Sequence, residues 1–159
     1  MKAKLIIALM YSNKEIYRKT LEELKKLFGD IDKESQEYNF DQFTKFYEKE
    51  FGKNLVKRFI SFKNRIERED LADIKLKTTQ IEKEFSKENK REINLDPGYL
   101  TETELVLASF KKGTNYKQDI GKGIYAHKVL EFKGNKVEIF WHTFPDYRVK
   151  ENQEWFNKV

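Results

Sequence analysis

The sequence holds no cysteine, which removes disulfides, zinc-thiolate sites and thiol nucleophiles at a stroke. Two prolines and seven glycines in 159 residues leave little material for a linker or a low-complexity tract. Only two histidines occur, His127 and His142, with no acidic residue spaced to share a metal with them, and no Ser-His-Asp arrangement follows from their order. No apolar run approaches the ~18 residues that a membrane-spanning helix needs. The start, Met1-Lys2-Ala3-Lys4 and then Leu5 to Met10, begins as a signal peptide would. Its apolar stretch ends after about six residues at Ser12-Asn13-Lys14-Glu15, a helix opening without a cleavage site. It reads as a first strand, and residues 1–159 as one soluble, cytoplasmic, globular domain.

What the chain does have is aromatic mass and charge. Thirteen Phe, eight Tyr and two Trp can build a core in a chain that is only 38% hydrophobic, because each ring buries a large area. Charged residues reach 37%, against about 25% in an ordinary domain. Heavy use of Lys and Glu suits a hot environment, where ion-pair networks gain value. The net charge of +5 is compatible with RNA, DNA or phosphorylated ligands. The same 32 basic and 27 acidic residues, interleaved, also describe a solvated surface.

Hydrophobic spacing predicts an α+β domain, a mostly antiparallel sheet with helices packed on one face, ferredoxin-like or related. Lys4 to Met10 reads as a buried strand. Ser12 with Glu15 forms a capping box for a helix carrying Ile16, Thr20, Leu24 and Leu27, closed by Gly29. Glu34 to Phe40 reads as a second strand, and strand-helix-strand is how a ferredoxin-like half begins. Asp41 is placed to cap an aromatic helix from Gln42 to Phe51, ended by Gly52. Val56 to Phe62 reads equally as strand or extended connection. A long helix is expected over 69–88, with Leu71, Ile74, Thr78, Ile81 and Phe85 in one stripe. Glu92 to Leu95 would be a short strand entering a turn at Asp96-Pro97-Gly98-Tyr99. Leu105 to Phe110 reads as a central strand. Ile124 to Phe132 and Lys136 to Trp141 pair across Gly134-Asn135. A terminal helix from Val149 docks Trp155 and Phe156.

Candidate chemistry gathers at two turns. Asn94, Asp96, Gly98 and Tyr99 place an amide and a carboxylate at a strand end, suited to a metal, a ribose hydroxyl or a cation, or to an Asx turn that satisfies only itself. Phe144-Pro145-Asp146-Tyr147-Arg148 repeats the pairing of Asp and Tyr beside Pro. Arg58, Lys112 and Lys122 are candidates to meet an anion, and Tyr47 and Tyr99 to stack on a base. These residues describe a binding module for a nucleotide, RNA or phosphorylated metabolite. One alternative is an enzyme in which Asp41, Asp96 and Asp146 hold Mg²⁺ for phosphoryl transfer or hydrolysis. Another is a scaffold or homodimer joined through the aromatic helix between Asp41 and Gly52. Lys111-Lys112-Gly113 and Gly121-Lys122-Gly123 are not a phosphate loop of the Walker type, since no Ser or Thr follows the lysine and a strand comes next.

Ile93-Asn94-Leu95-Asp96-Pro97-Gly98-Tyr99-Leu100, taken with 71–76, 121–126 and 144–148, gives the chain a family likeness. With Phe40-Asp41, Tyr47-Glu48-Lys49-Glu50 and Gly52, it resembles the prokaryotic domain-of-unknown-function family 4416 over nearly its whole length. The resemblance implies no established activity. Members sometimes carry a GTP-binding label, which the missing Walker loop does not support here. The chain departs from the family pattern in having Tyr116-Lys117 where a His-Arg pair is usual, and His127 where an acidic residue is more usual. A catalytic role resting on that pair would be missing from this member.

Overall fold

The computed structural model describes residues 2–112 and 116–159. Gly113, the end of the Lys111-Lys112-Gly113 segment, lies outside them. Among these described residues, nine strands and four α-helices follow one another. The strands are β1 Lys2–Tyr11, β2 Ile31–Glu34, β3 Tyr38–Asn39, β4 Val56–Glu67, β5 Ile93–Leu100, β6 Glu104–Ser109, β7 Lys117–Asp119, β8 Tyr125–Lys133 and β9 Lys136–Ile139. The helices are α1 Lys14–Phe28, α2 Glu48–Phe51, α3 Leu71–Glu84 and α4 Lys150–Lys158. Among the described residues no helix is long and apolar enough to cross a membrane.

The main sheet runs β2-β4-β1-β5-β6-β8-β7, with β3 beside β4 and β9 beside β8, and every pairing is antiparallel. Within it β1-α1-β2-β4-α3-β5 gives the order β2-β4-β1-β5, the ferredoxin-like arrangement, and β6, β8, β7 and β9 extend the sheet from β5. The fold is α+β with a mostly antiparallel sheet, as its sequence predicts. Alternation along β1 sorts the two faces. Leu5, Ile7, Leu9 and Tyr11 pack against Leu24 of α1 and Ile74 and Ile81 of α3. Ile6 and Ala8 point the other way, to Phe59, Tyr147 and Phe156. The two long helices therefore share one face, while α4 covers part of the other.

Several local expectations are corrected by polar detail. Asn13, not Ser12, caps α1, its side chain accepting from the Glu15 amide, while the Ser12 hydroxyl donates to the Phe51 carbonyl. Leu27 stays exposed, and Tyr17 takes the buried position two turns before Leu24. The expected aromatic helix is mostly turn: a 3₁₀ turn at Phe40–Gln42 capped by Asn39, then the single turn of α2. Asp41 serves instead as an acceptor for the backbone amides of Asn54 and Leu55. The expected second strand is split into β2 and β3, and α3 begins after a 3₁₀ turn at Arg68–Asp70 and ends at Glu84.

The main correction concerns Asp96-Pro97-Gly98-Tyr99, which is not a turn. These residues lie inside β5, paired with β1 from Ile93 to Leu100, with Pro97 opposite Ile7. The Leu95 amide donates to Glu82 and its carbonyl accepts from Lys75, so both groups point away from β1. Residues two apart along a strand point the same way, so Pro97 also turns its nitrogen toward β6. On that side pairing covers only Gly98 to Leu100, opposite Leu107 to Leu105. The next bond would come from the Pro97 amide, and proline has none. Beyond that point β5 and β6 part. Gly98, the last paired residue, is held close against β6: a Cβ there would lie 2.3 Å from the Val106 carbonyl oxygen. Gly98→Ala should destabilise the fold by about 1–3 kcal/mol through this overlap, read as a lower urea midpoint.

Candidate functional site

The parted strands leave a cavity of about 420 Å³ on the face away from α1 and α3. Asn94 and Asp96 of β5 face Leu107 and Ser109 of β6 across it, with His127 beyond on β8. Phe40, Phe46 and Tyr47 form one wall and Phe144 and Tyr147 another. Lys75 belongs to α3 on the opposite face, yet it lines the cavity, so its side chain reaches through the opening between β5 and β6. There its ammonium donates to the Leu95 carbonyl and lies 3.6 Å from Asp96. With Glu82, which accepts from the Leu95 amide at 2.7 Å, it supplies from a helix the two bonds a strand would have made.

A second lysine is buried on the cavity side. Lys57 of β4, opposite Met10, is 5% exposed, and its ammonium lies 2.7 Å from the carboxylate of Asp146, which is 0% exposed. Tyr38 donates to the same carboxylate oxygen at 2.6 Å. The ammonium also sits 4.9 Å from the Phe40 ring centre and 4.8 Å from that of Tyr147. Ring faces are negative, so they offset part of the lost hydration. Burial, with the charges of Asp146 and Asp96 beside them, pushes the Tyr38 and Tyr147 hydroxyls well above their ordinary range. Both therefore stay protonated.

A polar relay runs along the rim. Glu50 grips Arg91 with both carboxylate oxygens, Arg91 donates to Asn94 at 2.6 Å, and Asn94 donates to Asp96 at 3.0 Å. Burial alone would raise the Asp96 carboxyl, but Lys75, Lys57 and the Asn94 amide together hold it below the usual range. Burial dominates at Glu82, which is pushed up to about 6 despite the Leu95 amide, Lys75 and Arg91.

The histidines are fixed by their neighbours. The His142 ring lies 3.9 Å from Tyr116 and 5.3 Å from Phe140, nearly parallel to both. Its Nε2 is 2.8 Å from the Lys128 carbonyl, which can only accept, so Nε2 carries a proton, and the tautomer compatible with that bond has its lone pair at Nδ1. Arg148 holds the segment in place by donating to the carbonyls of Phe140, Trp141 and Thr143. His127 is pushed down to about 4, chiefly by burial and then by Lys117 and His142, so it is neutral near pH 7. Seven buried side-chain polar atoms lack a partner among the described residues. Three belong to cavity-lining residues (His127 Nδ1, His142 Nδ1 and the Tyr147 hydroxyl), and a fourth is Asp146 Oδ1 next along the chain.

Of the residues expected from sequence, Tyr47, Asn94, Asp96 and Tyr147 line the cavity, and Asp146 stands just behind it. Gly98 stands beside Pro97 at the end of the β5–β6 pairing, close against Val106 and Leu107. The others lie elsewhere. Arg58 points to the helix face, stacked 4.7 Å over Tyr17 and paired with Glu37. Tyr99 is on that face too, under Arg68. Lys122 pairs with Asp73 of α3, and Lys112 is exposed and outside the lining, where its neighbour Lys111 takes part instead. Asp41, tied to the Asn54 and Leu55 amides, does not join Asp96 and Asp146. Among the described residues no cluster of three or more His, Asp or Glu is placed to hold a metal. Sequence reasoning missed Lys57, Lys75, Arg91 and both histidines as lining groups. A signal existed for Lys75 and Glu82, which fall at the spacing of Leu71 and Thr78 on the buried side of α3.

The family profile for a domain of unknown function, DUF4416, matches residues 1–159, the whole chain. The chain belongs to this family. No curated protein and no solved structure matches it. Of the segments that resemble DUF4416, five meet at the cavity: 93–100 forms the parting strand, 144–148 carries Phe144 and Tyr147, 40–41 and 47–52 supply Phe40 and Tyr47, and 71–76 supplies Lys75. The segment Gly121-Lys122-Gly123 does not, since it meets the start of α3.

Two stability experiments follow from these charges. Removing Lys57 strands a buried carboxylate, so Lys57→Met should cost about 3–5 kcal/mol, and Lys57→Met with Asp146→Asn should recover most of it. Urea unfolding of the two single variants and the double measures the pair. A raised carboxyl binds its proton more tightly in the folded state, so Glu82 makes stability fall as pH rises from 4.5 to about 6. Glu82→Gln keeps an acceptor for Leu95 and removes that titration. Its stability relative to the native chain should improve by on the order of 2 kcal/mol between those pH values. An unchanged difference across the window would exclude Glu82 as the titrating group.

Proposed function

We propose that the cavity between β5 and β6 binds a small planar anion of the nucleotide or phosphorylated-metabolite class. The observation that carries this reading is the set of three buried, unpartnered polar atoms on residues that line one aromatic-walled cavity, His127 Nδ1, His142 Nδ1 and the Tyr147 hydroxyl. Buried polar atoms are normally satisfied, so such a concentration marks places kept for a ligand's own donors and acceptors. The two Nδ1 atoms supply acceptors, and the Tyr147 hydroxyl and the ammonium groups supply donors. A heteroaromatic ring with polar edges answers both. Phe40, Phe46, Tyr47 and Phe144 give its faces something to stack on.

The charge of the lining supports an anionic group. Four cations, Lys57, Lys75, Arg91 and Lys111, line the cavity with one carboxylate, Asp96. Lys111 makes no ion pair with a carboxylate among the described residues, and it sits at the mouth, its ammonium 5.9 Å from the Phe46 ring. It is the natural partner of a phosphate left outside the buried floor. The volume, about 420 Å³, falls in the ordinary range for small-molecule sites. A cytoplasmic setting, the one expected from the sequence, would supply such ligands. Among the described residues no cluster of carboxylates favours the Mg²⁺ enzyme, and the rings expected to form a dimer surface mostly pack inward on Met10 and Leu55.

Isothermal titration with nucleoside monophosphates at low salt tests the proposal. Binding should weaken with added salt. The matching nucleoside should bind about tenfold more weakly or worse, and Lys111→Ala should cost a similar factor, the worth of one hydrogen bond to a charged group. Absence of heat for every nucleotide, with no rise in melting temperature at millimolar ligand, would refute it.

A further inference from the structure

Four large aromatic side chains are exposed among the described residues: Phe46 at 75%, Trp141 at 75%, Phe110 at 46% and Phe144 at 42%. All four stand at one place. Phe46, Phe110 and Phe144 line the cavity mouth, and Trp141 meets the lining residue His142 edge-on at 5.3 Å and Tyr116 at 5.1 Å. The other exposed large apolar residues, Leu27, Leu76 and Ile139, are aliphatic. A mononucleotide held inside the cavity accounts for the rings that line it. It does not account for Trp141, which lies outside the lining, three-quarters exposed, on a segment held by three bonds from Arg148.

Lysines lie among these rings. Lys111 is beside Phe46, and Lys117 sits 5.7 Å from the Tyr116 ring centre while donating to the Lys111 carbonyl at 3.0 Å. Lys112 is exposed next to them. Neither Lys111 nor Lys117 pairs with a carboxylate among the described residues. Alternating flat rings and unpaired ammonium groups suit a ligand that alternates flat bases and phosphates.

Resting on the cavity as a nucleotide-class site, we propose that the physiological ligand is a single-stranded nucleic acid. One base enters the cavity, and the adjoining nucleotide runs out over Lys111 and Lys117 to stack on Trp141. An apolar protein partner would meet a mouth lined with ammonium groups and would leave them without countercharge. A strand carries one phosphate for each base it offers to a ring. Base-on-ring stacking tolerates every base, so the outer contact adds affinity without demanding a particular sequence.

The test is a length series: uridine monophosphate and oligouridylates of two, four and eight nucleotides, with the deoxyuridine series in parallel to read the role of the sugar. Anisotropy and titration calorimetry on the full chain give the affinities. The expected result is a gain of about tenfold or more from one nucleotide to four, with a steeper salt dependence for the longer ligand. Trp141→Ala should remove most of that gain, seen as a collapse in the ratio of oligonucleotide to mononucleotide affinity. Circular dichroism confirms that the variant is folded. If the monophosphate binds and the tetranucleotide binds no better, this inference is overturned and the cavity reading stands. If neither binds, both fall. A dimer by light scattering that Trp141→Ala dissolves, with no gain along the series, assigns the aromatic mouth to a second copy of the chain and also overturns it.

Discussion

A missing amide hydrogen in the middle of a sheet sets the geometry of this protein. Pro97 occupies a strand paired on both sides, where proline is ordinarily excluded, and it is accommodated because its nitrogen points to the neighbour that is about to leave. Everything that makes the face chemically interesting lies past that residue. The Leu95 amide and carbonyl lose their strand partner and must be satisfied. Asn94 and Asp96 gain room on the opposite face. The opening is wide enough for a lysine from the helix layer to pass.

How α3 solves the first of these problems shapes the second. Lys75 and Glu82 replace a β-ladder with an ammonium and a carboxylate, so satisfying the backbone brings charge into the interior. That charge is balanced by proximity: Asp96 answers Lys75, Asp146 answers Lys57, and Glu50 answers Arg91. Such pairs are costly to assemble and contribute little net stability. Their yield is a rigid array of donors and acceptors around an aromatic-walled space. His142, pressed between Tyr116 and Phe140 and bonded to a backbone carbonyl, is held as firmly as the lysines.

Much of the scaffold could be read from spacing alone. The alternation in β1, the stripe on α3 and the Gly134-Asn135 hairpin each follow from local chemistry that tertiary packing did not overrule. The site was legible only in part. Asp96, Asp146 and Tyr147 drew notice as polar residues in turn-like settings, and they do stand at the cavity or just behind it, though Pro97-Gly98 proved to lie within a continuous strand. That distinction depends on which neighbour the proline nitrogen faces, and no local pattern records it. Arg58 was misplaced by one step of strand alternation, which carries it to the helix face while its neighbour Lys57 goes to the cavity. Asp41 looked like a helix cap and is a cap of another kind, holding the chain at Asn54 and Leu55. Lys57 escaped notice because a lysine in a charged chain is unremarkable until the strand that bears it is known to be central.

The substitution of side chains for a strand at Leu95 also makes occupancy and architecture thermodynamically inseparable. Lys75 has one ammonium to divide among the Leu95 carbonyl, Asp96 and whatever enters the cavity. A ligand that draws it inward leaves a backbone carbonyl bare, and one that reinforces its present position tightens the seam between helix and sheet. On the binding proposed for this cavity, affinity is measured against the cohesion of β5 itself, and tighter binding and a firmer sheet draw on the same three hydrogens.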